Sequence, residues 1–194
     1  MNIEEQNKLF FGKIAGYYDI IFGNWIKKIQ IKTIKLAEIN NKSRILDAGC
    51  GTGNFLSLLE NYNIGAYGID ISKEMIKIAK KKLKKPKLKI SSAERLNFKS
   101  NYFDYIFSID AFHHFYNKEK AMKSFYRVLK DNGKLIIVDV NFGIFLNKIF
   151  KKLEPGNNGI YSKSEMKSIF LRYKLRKIEQ RNVGLFTTMT KGVK

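Results

Sequence analysis

The residues of this chain best placed to do chemistry lie in one stretch, Ile45-Leu46-Asp47-Ala48-Gly49-Cys50-Gly51-Thr52-Gly53-Asn54. An apolar run ends near a carboxylate, glycines fall on alternate positions, and an amphipathic segment follows. This pattern predicts a buried strand, a tight loop and the first turn of a helix. Glycine is required where backbone turns sharply or touches a ligand, because it lacks a Cβ. Three glycines directly after a strand point to a binding loop, with Asp47, Gly49, Cys50, Gly51 and Gly53 as its candidate contacts.

Two phosphate chemistries are excluded by spacing. A phosphate-cradling P-loop ends in Gly-Lys-Ser/Thr, whereas Gly53 is followed by Asn54-Phe55. A dinucleotide fingerprint counted from Gly49 needs its third glycine at position 54, and that residue is Asn54. The observed spacing is D-x-G-x-G-x-G. It resembles the glycine-rich motif of class I S-adenosylmethionine-dependent methyltransferases, whose loop wraps the methionine part and ribose of the cofactor. The resemblance is to the small-molecule, type 11-like branch. It implies S-adenosyl-L-methionine as cofactor, S-adenosyl-L-homocysteine as product, and further contacts from Ile71 and Ile109.

Farther along, Gly65 to Asp70 reads as a second strand ending in an acid, 17 residues beyond Gly53. That is near the spacing at which an acid takes a ribose diol in nucleotide-binding βαβ units. A carboxylate there can accept two hydroxyl hydrogen bonds at once. The structural alternative is helix capping by Asp70 or Ser72. The segment Ser91-Ser92-Ala93-Glu94-Arg95-Leu96-Asn97-Phe98 resembles the family's G-D-A-E-x-L-P-F, in which the acid accepts from the adenine amino group. Here Ser92 stands in its place and accepts more weakly, while the Ala93 N–H can still serve adenine.

The fourth predicted strand, Phe103 to Asp110, leads into Ala111-Phe112-His113-His114-Phe115. Open α/β sheets bind ligands at this end of their strands. Either histidine is a candidate general base near neutral pH, although in the resembling family such a pair mainly lines the cleft. A metal site needs more ligands than two adjacent histidines, and with no companion Cys or Glu cluster, no metal is expected. Leu129 to Asp139 resembles the family's L-K-P-G-G-x-L-x-I-x-D, with Asp131 and Asn132 as serviceable turn residues.

Ahead of the loop, residues 1–40 predict helices. Leu9, Phe10, Ile14, Tyr17, Tyr18, Ile21 and Phe22 form an apolar face broken at Gly23-Asn24. A second helix runs from Trp25 to about Ile39, burying Trp25, Ile29, Ile34 and Leu36. The segment ending Tyr17-Tyr18-Asp19 resembles the A-x-x-Y-D entry of small-molecule methyltransferases, in which the tyrosine matching Tyr18 closes over the cofactor. The alternatives are plain core packing of its aromatics, or an interfacial helix on an anionic membrane.

These elements predict an α/β fold: a Rossmann-like, seven-stranded, mostly parallel sheet with helices on both faces and an antiparallel last strand. One domain is expected over 1–194, made of an N-terminal helical cap (1–40), a cofactor-binding core (43–140), a short substrate-side insertion (141–162) and closing elements (163–194). Ser162 and Glu165 form a capping box at the last helix.

Composition bounds the rest. The chain's 44% apolar and 13% aromatic residues can build a core, and its single cysteine excludes an internal disulfide. No apolar run reaches the roughly 18 residues of a spanning helix, and the N-terminus lacks signal-peptide character, so a cytoplasmic location is expected. The net charge of +20 could attract nucleic acid. It is, however, mostly dispersed lysine, whereas specific phosphate readers favour arginine. The expected partner is therefore a small organic acceptor, with nucleic acid the less favoured one and a non-catalytic cofactor-binding module the competing class. Adenine N-methylation, carbon-5 pyrimidine methylation and arsenite methylation lack their signature residues. The Arg-Asn pair of quinone-type enzymes is likewise missing after the fourth strand.

Overall fold

A computed structural model of the chain describes residues 3–141 and 159–194. Its centre is one seven-stranded sheet built from β1 (Arg44–Ala48), β2 (Gly65–Asp70), β3 (Lys87–Ile90), β4 (Phe103–Ile109), β5 (Leu129–Val140), β6 (Arg176–Gly184) and β7 (Thr187–Val193), in the order β3-β2-β1-β4-β5-β7-β6. The first five run parallel, and β7 is antiparallel to both β5 and β6. The order reverses at β1, so the carboxyl ends of β1 and β4 open a crevice where such sheets bind ligands. This is the predicted fold class.

Side-chain alternation splits the core between the two faces of the sheet. Leu46, Ile106, Leu135 and Ile137 pack with Phe112, Phe125 and Phe170 on one face. Ile45, Phe107, Ile136 and Val138 pack with Ile29, Phe55 and Leu56 on the other. Covered on both sides, the central strands read as continuous apolar runs rather than alternating ones.

The helices are α1 (Ile3–Ile14), α2 (Tyr18–Ala37), α3 (Asn54–Leu58), α4 (Lys73–Lys82), α5 (Lys118–Val128) and α6 (Lys163–Arg172). Ser72 caps α4, Asn117 caps α5, and the capping box of Ser162 and Glu165 opens α6 as expected. Among the described residues no helix is long and apolar enough to cross a membrane.

The sequence reading needs correction at four places. The break between the first helices falls at Ala15-Gly16-Tyr17, and α2 runs straight through Gly23-Asn24. An interior glycine costs only about 1 kcal/mol, which tertiary packing readily overrides. The buried stripe of α2 is Ile26, Ile29, Gln30, Thr33 and Ala37, an i, i+3, i+4 pattern that leaves Trp25 facing outward. The amphipathic segment after the loop, Asn54 to Tyr62, predicts a longer helix than α3, which ends at Leu58. Finally, the predicted turn 129–134 is absorbed into β5, as an irregularity between the pairs Phe103–Leu129 and Tyr105–Lys134 with Asn132 at φ +64°. The final hairpin, between β6 and β7, turns at Leu185-Phe186. Most of the predicted insertion, 142–158, lies outside the described residues.

Phe107 is fully buried, 4.7 Å from the ring of Phe55 beneath the glycine-rich loop. Phe107→Ala should cost about 3–5 kcal/mol of unfolding free energy, measurable by urea denaturation, and should loosen the loop above it.

Candidate functional site

The loop after β1 is folded around the carboxylate that ends β2. The amides of Gly49 and Cys50 donate to the Ile69 carbonyl at 2.9 Å. Gly51 N–H donates to Asp70 Oδ2 at 2.9 Å, and Ser72 N–H to Asp70 Oδ1 at 2.8 Å. Gly49 and Gly53 both sit at φ +82°, the left-handed region where side chains are strained. A Cβ on Gly49 would lie 2.5 Å from Ala111, and one on Gly53 2.6 Å from Leu83. Neither position has room for anything larger. At Gly51, by contrast, a Cβ would meet no protein atom within 4 Å, so the loop faces open space there.

That space is an open cleft with about 970 Å³ of empty volume, solvent at its mouth included. Of the residues singled out in the sequence, Tyr18, Asp47, Gly49, Cys50, Gly51, Asp70, Ile71, Ser92, Ala93, Ile109 and His114 line it. Gly53 shapes the loop from behind. Ser92 Oγ accepts from the Glu94 amide at 3.2 Å, which orients the segment.

The two histidine rings lie 3.9 Å apart but serve different neighbours. His114 lines the pocket, its ring 4.9 Å from that of Phe11. His113 is buried away from it, its Nδ1 against the Asp139 carboxylate and its amide donating to the same group at 2.9 Å. The sequence suggested no ligand companions here, yet the fold brings Asp110 and Asp139 to His113, with potential ligand atoms within 4.8 Å of one another. Residues distant in sequence meet because β4 and β5 are adjacent and end together. Asp110 also adopts φ +54°, a conformation that non-glycine residues rarely hold away from functional or turn positions.

The N-terminal helices form the roof. Glu4, Asn7 and Phe11 of α1, with Tyr18, Ile26 and Gln30 of α2, complete the pocket lining. Apart from Tyr18, sequence reasoning missed them as site residues. The face of α1 is set by the cavity, so Asn7 is buried while Leu9 points outward. Asn7 Nδ2 donates to the His114 carbonyl at 2.7 Å. Asp19 latches the roof down: it accepts from Thr52 Oγ1 at 2.6 Å, Asn54 Nδ2 at 2.7 Å and Lys82 Nζ at 2.7 Å. Burial alone would raise its carboxyl, but the bonds from Lys82, Thr52 and Asn54 outweigh that and hold it below the usual range. The A-x-x-Y-D match signalled this residue, though not its role.

Electrostatically the pocket floor is acidic. Burial, then the charge of Asp70, pushes Asp47 up to about 8. Asp70 is also raised by burial, against the pull of the Ser72, Gly51 and Ile71 amides. Burial and the same two carboxylates push the Cys50 thiol up, so it stays protonated and is a poor nucleophile.

Comparison with known proteins agrees with this geometry. The methyltransferase-domain family profile matches residues 46–137. A demethylmenaquinone methyltransferase from Thermotoga maritima is 30% identical over 169 residues, covering 78% of this chain and 72% of the relative. The chain belongs to the class I S-adenosylmethionine-dependent methyltransferases. An uncharacterized protein from Methanocaldococcus jannaschii is 37% identical over 150 residues, 77% of this chain, which spans little more than half (57%) of that relative's length. Among solved structures, phosphoethanolamine N-methyltransferase 2 of Haemonchus contortus, in complex with S-adenosyl-L-methionine, superposes with a TM-score of 0.78 at 19% identity, over 94% of this chain and 57% of that one. At that identity it bears on the fold alone.

The family's cofactor fits the donor set. The open face at Gly51 admits a ligand, and Asp70 keeps acceptor capacity beyond its two backbone bonds. The buried acids Asp47 and Asp70 suit a cationic sulfonium.

Without ligand, folded Asp47 keeps its proton up to about pH 8, whereas an unfolded chain loses it near 4. Its contribution to stability is therefore present at low pH and lost as pH rises through 8. A cation that favours the ionised form must expel that proton, so cofactor affinity should increase between about pH 6 and 8 with proton release. Titration calorimetry in buffers of different ionisation enthalpy reads this directly, and Asp47→Asn should abolish it. Asp19→Ala, which unlatches the roof, should weaken cofactor binding about tenfold, since charge-assisted bonds are worth ~1.5–3 kcal/mol before solvent screening.

Proposed function

We propose that this chain binds S-adenosyl-L-methionine in the pocket above the β1 and β4 ends and transfers its methyl group to a small organic acceptor. The observation that carries this reading is the loop geometry: Gly51 faces open space while its amide is tied to Asp70, so one carboxylate both shapes the loop and borders the ligand. When bound, the cofactor supplies an electrophilic methyl group on a sulfonium sulfur.

The protein's part is alignment and exclusion of water. Asp70 accepts from the ribose diol. Ile71 and Met75 offer apolar surface, and Ser92 with the Ala93 amide serves the adenine edge. Backbone at Gly49, Cys50 and Gly51 carries the methionine portion, and Tyr18 with Phe11 covers the site from above. A catalytic base is needed only where the acceptor holds a proton at working pH. Of the two histidines, His114 lines the pocket and is the candidate; His113 serves instead to lock the β4 end to β5.

The organisation that suits this reading is a single methyltransferase domain in which 1–40 forms the cap, 43–140 the cofactor core and 163–194 the closing elements, acting in the cytoplasm. A second reading, methyl transfer to RNA, draws on the net charge of +20.

Calorimetry with S-adenosyl-L-methionine tests the first reading. Binding in the micromolar range is expected, and its absence at millimolar ligand rejects the proposal. Asp70→Ala should weaken binding about tenfold or more, the loss of two charge-assisted hydrogen bonds, and an unchanged affinity removes the ribose role. Labelled methyl transfer into RNA with steeply salt-dependent affinity would favour the second reading.

A further inference from the structure

The lining of the pocket inverts the charge of the chain. The protein has 37 lysines and arginines against 17 acids. Among the described residues, however, no lysine or arginine lines the cavity, while Glu4, Asp47, Asp70, Glu94 and Asp110 do. Even with Asp47 neutral below about pH 8, such a site concentrates cations and repels anions, whatever the outer surface attracts.

Asn7 and Gln30 belong to the same roof and are 1% and 5% exposed. Asn7 Nδ2 donates to the His114 carbonyl at 2.7 Å, while the side-chain oxygens of both amides are enclosed by protein and do not face the ligand space. The charge and the rings of the wall therefore carry the argument. Around Asn7 the wall is aromatic, with Phe11 and Tyr18 on the roof and Phe115 and Tyr116 past the β4 end, and ring faces attract cations. An ammonium carries several N–H donors and no acceptor. It therefore matches the charge and the rings together, which a hydroxyl, thiol or carboxylate acceptor does not.

We propose that the methyl acceptor is a primary or secondary amine of a small organic molecule, entering as its ammonium against Glu4 and the aromatic wall; this rests on the donor-binding reading of the same pocket. The ammonium gives one proton to water. The freed nitrogen lone pair then forms the N–C bond as the C–S bond of the sulfonium breaks, its electron pair returning to sulfur. The products are an N-methylammonium and a thioether.

The test compares phenethylamine, phenethyl alcohol and phenylacetate, ligands of nearly one size but different charge, titrated into the full chain loaded with S-adenosyl-L-homocysteine. The amine should bind about tenfold tighter than either other probe, and Glu4→Gln should shrink that preference several-fold. In labelled transfer across an amine library, product should be N-methylated and its rate should rise with pH as ammonium deprotonates. Equal or tighter binding of phenylacetate or the alcohol, or transfer to oxygen or sulfur acceptors with none to amines, overturns the proposal while leaving donor binding intact. Failure of S-adenosyl-L-methionine and S-adenosyl-L-homocysteine themselves to bind strikes the cofactor reading first, and this inference with it.

Discussion

The carboxylate of Asp70 is the pin on which the site turns. It sits at the end of β2 and accepts the amides of Gly51 and Ser72. One bond closes the loop after β1, and the other starts the helix after β2. Burial would rather keep this group neutral, and only the converging N–H donors make its charge tolerable. The loop, α4 and the floor of the cavity are thus positioned by a group that would be costly elsewhere in the core. The left-handed turns at Gly49 and Gly53 let the backbone pass close to Ala111 and Leu83, so the loop can wrap the carboxylate without a side chain in the way.

A second acid, Asp19, does for the roof what Asp70 does for the floor. Its bonds to Thr52, Asn54 and Lys82 join α2 to the loop and to α4. Roof and floor therefore share residues 52–54, and any ligand that shifts the loop also acts on the roof. The same economy appears at the β4 end. There His113 is committed to Asp139, and the geometry frees its neighbour His114 to face the cavity. The two rings lie 3.9 Å apart, so the pair reaches from the Asp139 carboxylate, held by His113, to the cavity, lined by His114.

The basic exterior and acidic pocket coexist because they are governed by different constraints. Lysines on solvated faces, as along α4, are nearly neutral for stability and can accumulate. Side chains in the cavity must answer each other and the ligand at short range, where a stray cation would repel a sulfonium directly. The net charge of the chain is accordingly a poor guide to what the pocket accepts.

What the sequence determined by itself was whatever depends on local rules. Alternate glycines after an apolar run, an acid closing the next strand, and Ser162 with Glu165 at a helix start each encode a backbone shape within a few residues. From these came the sheet, its antiparallel end and the floor of the site. The roof was decided only by the tertiary structure. Asn7, Gln30 and Glu4 carry no motif, and the face α1 buries is set by a cavity rather than by a core, so polar Asn7 turns in while Leu9 turns out. The same holds for His113 with Asp139, and for Asp19 with Lys82. These partners lie 26 and 63 residues apart, and no periodicity within one segment can announce that two strand ends, or the start of one helix and the end of another, will meet.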